Sequence, residues 1–259
     1  MSTIADLGAP LARARVCDPA CGPGEWLLAA LEAGAREAVG IDCDPVMPER
    51  WHDSGLADDP RAVLAVGDGL DPSLKLCECA DVVLGNPPFG TELASVSESA
   101  LAGIAAHYRL PSLRRPARSG TGTSAADLQR LRRFPAELLF LERFVELCRP
   151  GGWIAIVLPE GVFSNSRWRH VRRWLLEELT VHLVVALPRA TFRAHATTAR
   201  TCLTIMHRMS PPSEHHVQLC GMDECSPEAL ARLLEMLRSD PAVEGQSGGF
   251  DPTPPIFED

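Results

Sequence analysis

The chain has 259 residues, 46% of them hydrophobic, and a formal net charge of -9. That length builds one substantial core, hence one domain or at most two small ones. The opening MSTIADLGAPLARARV has no apolar core of the signal-peptide kind and no later run is long enough to span a bilayer, so a soluble, cytoplasmic protein without a membrane partner is expected.

Nine cysteines occur, but the spacings of Cys17 and Cys21, Cys77 and Cys79, and Cys220 and Cys225 contain no CxxC pair. A bound metal is therefore not expected, and the thiols read as reduced and mostly buried. Charge is unevenly spread: residues 1–103 carry 6 basic and 17 acidic side chains, residues 104–209 carry 17 and 7, and residues 210–259 carry 2 and 10. A basic middle between acidic ends fits a polyanion-binding surface or a set of solvated helix faces equally well.

Along the chain, short apolar runs alternate with helical patterns: RARVCDP, EWLLAALEAG, EAVGIDCDP, AVLAVGD and ADVVLGNPP. This is the rhythm of an α/β fold, a mostly parallel sheet with crossover helices. Residues 109–133 mix Pro, Gly and Ser with many Arg and read as a long mobile loop leading into a helix. A helix over AELLFLERFVELCRP follows, then a strand WIAIVLP, a helix over SRWRHVRRWLLEEL and two apolar strands, HLVVALP and TCLTIMHR. The last two predict an antiparallel hairpin at the sheet edge. After Arg208, MSPPSEHH marks an exit from the core, with a short helix near PEALARLLEMLRS and a disordered end. The expected division is a domain over 1–209, with 109–133 as a basic loop insertion, and an extension over 210–259.

DPACGPGEWLLAALE places Asp18, Gly22 and Gly24 between a strand and a helix. Glycines let backbone turn tightly against a ligand, yet the spacing is not GxGxxG and, taken alone, fits a plain turn as well. Asp42 ends the second strand and Asp68 the third. Each could be a loop or helix-cap residue, but three strands ending in Asp at the ligand-binding edge of an open sheet favour a cofactor site. After the fourth strand, Asn86 offers an amide oxygen, Pro87 a carbonyl, Pro88 a stiff turn and Phe89 an aromatic face. Such a set can accept both hydrogens of a planar amino group while stacking on its ring; a structural Asn-Pro-Pro turn is the simpler alternative.

DPACGPG, GIDCDP, VGDGL and NPPF in this order resemble the S-adenosylmethionine-dependent amino-methyltransferases of DNA, gamma order, including type I modification subunits. The resemblance covers residues 14–209. It implies a Rossmann-like methyltransferase fold, S-adenosyl-L-methionine as cofactor, and methyl transfer to the exocyclic 6-amino group of adenine in DNA, in a restriction-modification or related phage-defence system. It also implies that Asp18 and Gly22 hold the methionine portion, with Ala20 and Gly24 in the same loop, Asp42 the ribose, Asp68 the cofactor adenine amino group and Pro88 the adenine face. Cys43 and Gly69 stand where bulkier apolar residues often sandwich that adenine. Asn86, Pro87 and Phe89 would be catalytic. Phe140 matches an aromatic position of the family, and Phe192, in LPRATF, one that packs against a flipped base. Arg114, Arg115 and Arg118 of the basic loop are candidates for substrate phosphate contacts. A target-recognition domain is not recognisable after Arg208, so a specificity subunit or domain is expected as partner. Release-factor glutamine methyltransferases share an NPPY-type motif, which leaves an RNA base or a protein glutamine as alternative substrates. A catalytically silent binding subunit is the remaining alternative.

Overall fold

The computed structural model describes residues 11–74, 80–90, 93, 97–110, 125–188, 191, 200–224, 226 and 228–229. Strand β1 (Arg15–Asp18) leads through a glycine loop into helix α1 (Glu25–Glu32), β2 (Glu37–Asp42), the short α2 (Met47–Asp53) and β3 (Ala62–Val66). Then come β4 (Ala80–Gly85), α3 (Glu98–His107), α4 (Ala125–Leu131), α5 (Ala136–Leu147) and a long β5 (Cys148–Pro159). A turn of helix, α6 (Gly161–Ser164), and a 3-10 turn (Ser166–Trp168) precede α7 (Arg169–Glu178). Strands β6 (Thr180–Ala186), β7 (Thr201–His207) and β8 (Gln218–Gly221) complete the sheet.

Among the described residues eight strands form one sheet in the order β3-β2-β1-β4-β5-β7-β6-β8. Pairing is parallel from β3 to β5, antiparallel on both sides of β7, and parallel again between β6 and β8. The chain thus winds outward from β1 through β2 to β3, returns to place β4 on the other side of β1 and β5 beyond it, and then sets β6 one place further out so that β7 inserts between β5 and β6. At that reversal the connections leave in opposite directions, opening a crevice beyond the carboxyl ends of β1 and β4.

The α/β expectation holds, with the expected antiparallel pairing of β6 and β7; β7 runs against its neighbours, and the pair lies inside β8 rather than at the edge. Two points are corrected. The segment after Arg208 does not leave the core at once, because β8 hydrogen-bonds alongside β6 and takes the outermost place, so the sheet extends past the boundary expected at residue 209. Cys17, buried in β1, is disulfide-bonded rather than reduced, whereas Cys21, Cys43, Cys148, Cys202 and Cys220 are free thiols.

The sheet divides the apolar side chains into two cores. One gathers Val16, Leu27, Leu31, Trp51 and Leu56 under α1 and α2; the other gathers Val83, Leu101, Leu139, Phe144, Ile154 and Trp174 under α3, α5 and α7. Helix α5 is buried almost all round, with Leu138, Leu139, Leu141, Phe144 and Leu147 each fully enclosed. Truncating one of those leucines to alanine costs about 2–5 kcal/mol. That rigidity matters because the first turn of α5 supports the crevice.

Candidate functional site

All three strand-ending carboxylates stand at the crevice edge, and the backbone around each follows from its side chain. Asp18 is buried to 1% exposure and accepts a hydrogen bond from the Ala20 N–H at 3.0 Å. Burial, far more than the nearby Asp42 charge, pushes its carboxyl up to about 7. Asp42 accepts from the Gly22 N–H at 2.8 Å and, through its other oxygen, from the Asp44 N–H at 2.9 Å, tying the first turn to the second. Asp68 accepts from the Leu70 N–H at 2.9 Å.

Gly22 has φ +51°, a left-handed conformation that favours glycine, and a Cβ placed there would meet open space. The side-chain direction of Gly22 is therefore open among the described residues, while its N–H is held by Asp42. The Trp51 indole N–H donates to the Gly22 carbonyl at 2.8 Å and fixes the turn from behind. Gly24 immediately precedes α1, with Glu25 in the first turn of that helix. Ala20 is half-buried, packed against the larger core, and Cys43 is exposed, its thiol raised by burial and by the neighbouring Asp42 and Asp68 charges. At Gly69 a Cβ would collide with the Pro19 carbonyl, so its lack of a side chain lets the first and third turns touch.

Across the reversal, β4 brings Asn86 beside the first turn. A Cβ built on Gly85 would lie 2.5 Å from a carboxylate oxygen of Asp18, so the backbone just before Asn86 rests on that buried acid. Pro87 is buried, Phe89 is half-buried, and Pro88 and Gly90 are exposed. The Asn86 side-chain oxygen is buried and has no hydrogen-bond partner among the described residues. A buried acceptor left unpaired costs about 1–3 kcal/mol, and such an atom in a crevice is a place for a donor from a ligand.

Sequence reasoning missed the groups that hold these turns. Glu137, in the first turn of α5, accepts from the Gly90 N–H at 3.1 Å, and burial raises its carboxyl. Arg143, 2% exposed, donates to the Gly69, Asp71 and Leu74 carbonyls at 3.1, 3.2 and 2.8 Å and pairs with Glu146 at 2.7 Å. Tyr108 donates to the Leu70 carbonyl at 2.8 Å. A charged residue on the buried stripe of an apolar helix was the available signal for Arg143. Phe140 lies in the core at 7% exposure. Phe192, Arg114, Arg115 and Arg118 lie outside the described residues.

A family model described as N-6 DNA methylase matches residues 57–228, which covers the Asn86 turn but begins after the glycine turn and Asp42. The chain is 24% identical over 224 residues to the type II methyltransferase M.VspI of Vibrio sp. (strain 343), covering 85% of this chain and 48% of that protein. It spans about half the length of this relative. Its fold is similar to that of a protein from Listeria monocytogenes described as a class I S-adenosylmethionine-dependent methyltransferase (TM-score 0.64, 20% identity, covering 92% of this chain and 70% of that one). It is likewise similar to a modification subunit of a type I restriction enzyme from Vibrio vulnificus YJ016 (TM-score 0.65, 19% identity, covering 91% and 50%).

Proposed function

Because the chain belongs to the N-6 DNA methylase family, we propose that it transfers the methyl group of S-adenosyl-L-methionine to the exocyclic 6-amino group of adenine in DNA, as the catalytic unit of a modification system. The observation that carries this reading is the buried Asn86 oxygen at the sheet reversal, which has no hydrogen-bond partner among the described residues. A neutral acceptor there suits a neutral donor such as an aromatic amine.

The described residues fit the cofactor. Asp42 and Asp68 offer acceptors at the ends of β2 and β3, and the space on the side-chain side of Gly22 is open among the described residues. Asp42 would hold the ribose hydroxyls, Asp68 the adenine amino group, Pro88 the adenine face, and Asp18 with the Ala20–Gly24 turn the amino-acid end. Cys43, exposed beside Asp42, would flank the adenine. When bound, S-adenosyl-L-methionine supplies a methyl group on a positively charged sulfur.

The lone pair of an adenine amine is spread into the ring. Hydrogen bonds from the amine to the Asn86 oxygen and the Pro87 carbonyl favour the pyramidal nitrogen, on which the lone pair is localised, while Phe89 holds the ring. These bonds strengthen as positive charge develops on nitrogen, so they act more on the transition state than on the ground state. Neither oxygen is a base, and the alkylated amine is acidic enough to release its proton to water. Orientation lowers the barrier by several kcal/mol without a covalent intermediate. A base inside a duplex must first be flipped out, at a cost of a few kcal/mol, and Phe192 is assigned to pack against it. Sequence reading is assigned to a specificity subunit or domain.

The test is transfer of radiolabelled methyl groups to separate DNA, RNA and protein pools, with the parent chain and with Asn86→Ala. The reading expects label on adenine in DNA, lost in the variant. Label confined to RNA or to protein glutamine would replace it.

A further inference from the structure

Residues 161–173 follow the last residue of β5, and β5 runs parallel to β4, so α6, the 3-10 turn and the first turns of α7 sit at the same edge as Asn86. Here Arg167, Arg169 and Arg173 are exposed, and with Ser166 and His170 they line a concavity of about 250 Å³. None of the three guanidinium groups is in an ion pair among the described residues, in contrast to Arg15, Arg61, Arg109, Arg130, Arg143, Arg149 and Arg200, each of which meets a carboxylate. In a chain of net charge -9, three unopposed cations around one hollow are a concentrated positive field. A fourth cation lies beneath: Arg172, 1% exposed, donates to the Val162 and Asn165 carbonyls at 2.9 Å each and fixes the turn on which the patch stands.

A chain of contacts joins the patch to the catalytic turn. The Arg167 guanidinium lies 4.5 Å from the centre of the Trp168 ring. Trp168 meets Phe134 edge-on at 5.9 Å, and Phe134 is followed by Pro135 and α5, whose Glu137 holds Gly90 of the Asn86 turn. Through these elements the cations are carried at a fixed offset from the reacting position.

We infer that Arg167, Arg169 and Arg173 form a clamp for the sugar-phosphate backbone of the DNA beside the target base. The chemistry is that of a polyanion of regular spacing. Guanidinium groups bind phosphate oxygens bidentately, Ser166 adds a hydroxyl donor, and Trp168 restrains Arg167 so that less freedom is lost on contact. The inference rests on the adenine-in-DNA reading and adds to it a surface that locates the strand without reading its sequence.

The experiment compares the parent with the triple variants Arg167→Gln/Arg169→Gln/Arg173→Gln and Arg167→Lys/Arg169→Lys/Arg173→Lys. Binding of a fluorescent duplex oligonucleotide is followed by anisotropy across a salt series, methyl transfer to DNA is measured in parallel, and cofactor titration verifies the fold. Each lost phosphate contact lowers the log-log salt slope by about 0.9, so the Gln variant should lose about 2 to 3 units of slope and at least about tenfold in affinity near 0.1 M salt. The Lys variant should keep the parent's slope. A Gln variant with the parent's affinity and slope overturns the clamp, and so does a Lys variant that behaves as the Gln variant does, since charge would then not be the cause. A parent chain that neither binds nor methylates DNA fails at the substrate reading itself, and the clamp falls with it.

Discussion

On one side of the crevice the carboxylates at the ends of β1 and β2 and after β3 each hold a backbone N–H of their own loops, and Asp42 also holds that of Gly22; on the other, the Asn86 oxygen has no hydrogen-bond partner among the described residues. The difference separates two kinds of site chemistry. The carboxylate side keeps its shape through internal hydrogen bonds and presents lone pairs left over from that work. The amide side carries an unmet demand that only a donor from outside the described residues can satisfy. One side is built to be ready, the other to be completed by substrate.

The sharpest way to break this contrast is Asn86→Ala. We expect methyl transfer to fall by at least about 10²–10³-fold, the scale for losing an aligned polar group at a developing charge, with cofactor affinity nearly unchanged in calorimetric titration. Turnover close to the parent's would place the chemistry elsewhere.

Next in size is the support of the carboxylate side. Arg143→Met leaves three carbonyls of the 69–74 turn without their donor and should lower stability by about 3 kcal/mol, read from the urea midpoint. A loss under about 0.5 kcal/mol would mean that water replaces the guanidinium at no cost.

Asp42→Ala follows, removing both an acceptor for the Gly22 N–H and the assigned ribose partner. Cofactor binding should weaken by about 1–3 kcal/mol. Unchanged affinity would refute the ribose assignment.

The subtlest effect is a pH dependence. Asp18 has its carboxyl raised from 3.8 to about 7, so the folded state holds that proton more tightly than the unfolded chain does. Its contribution to stability is fully present below about pH 4 and is lost as pH rises through about 7. Asp18→Asn removes the titration, so the parent should lose stability relative to this variant between pH 4 and 7. Urea midpoints that keep a constant difference across that window would show Asp18 ionised throughout.

The alternation of apolar runs and helical patterns made the parallel half of the sheet legible, and the three aspartates and the Asn86 turn were visible because each lies at the end of a strand. What holds them was not. Trp51 reaches back 29 residues to Gly22, Glu137 reaches 47 to Gly90 and Arg143 reaches 69 to 74 to the turn after β3. No local spacing records such pairings, which exist only once the sheet is assembled. Helix α3 (ESALAGIAAH) escaped for another reason: alanine, glycine and serine give it little apolar periodicity. β8 was hidden by its brevity, four residues alternately half-buried and exposed.

The contact between Gly69 and the Pro19 carbonyl couples the first and third turns as meshed gears are coupled. Neither turn can be re-aimed alone, so efforts to admit an enlarged cofactor analogue by reshaping the third turn would displace the first as well. A saturation library at residue 69 would return glycine almost exclusively. Ranked by tolerance, that position would look like part of the chemistry, although its intolerance is a collision between main chains.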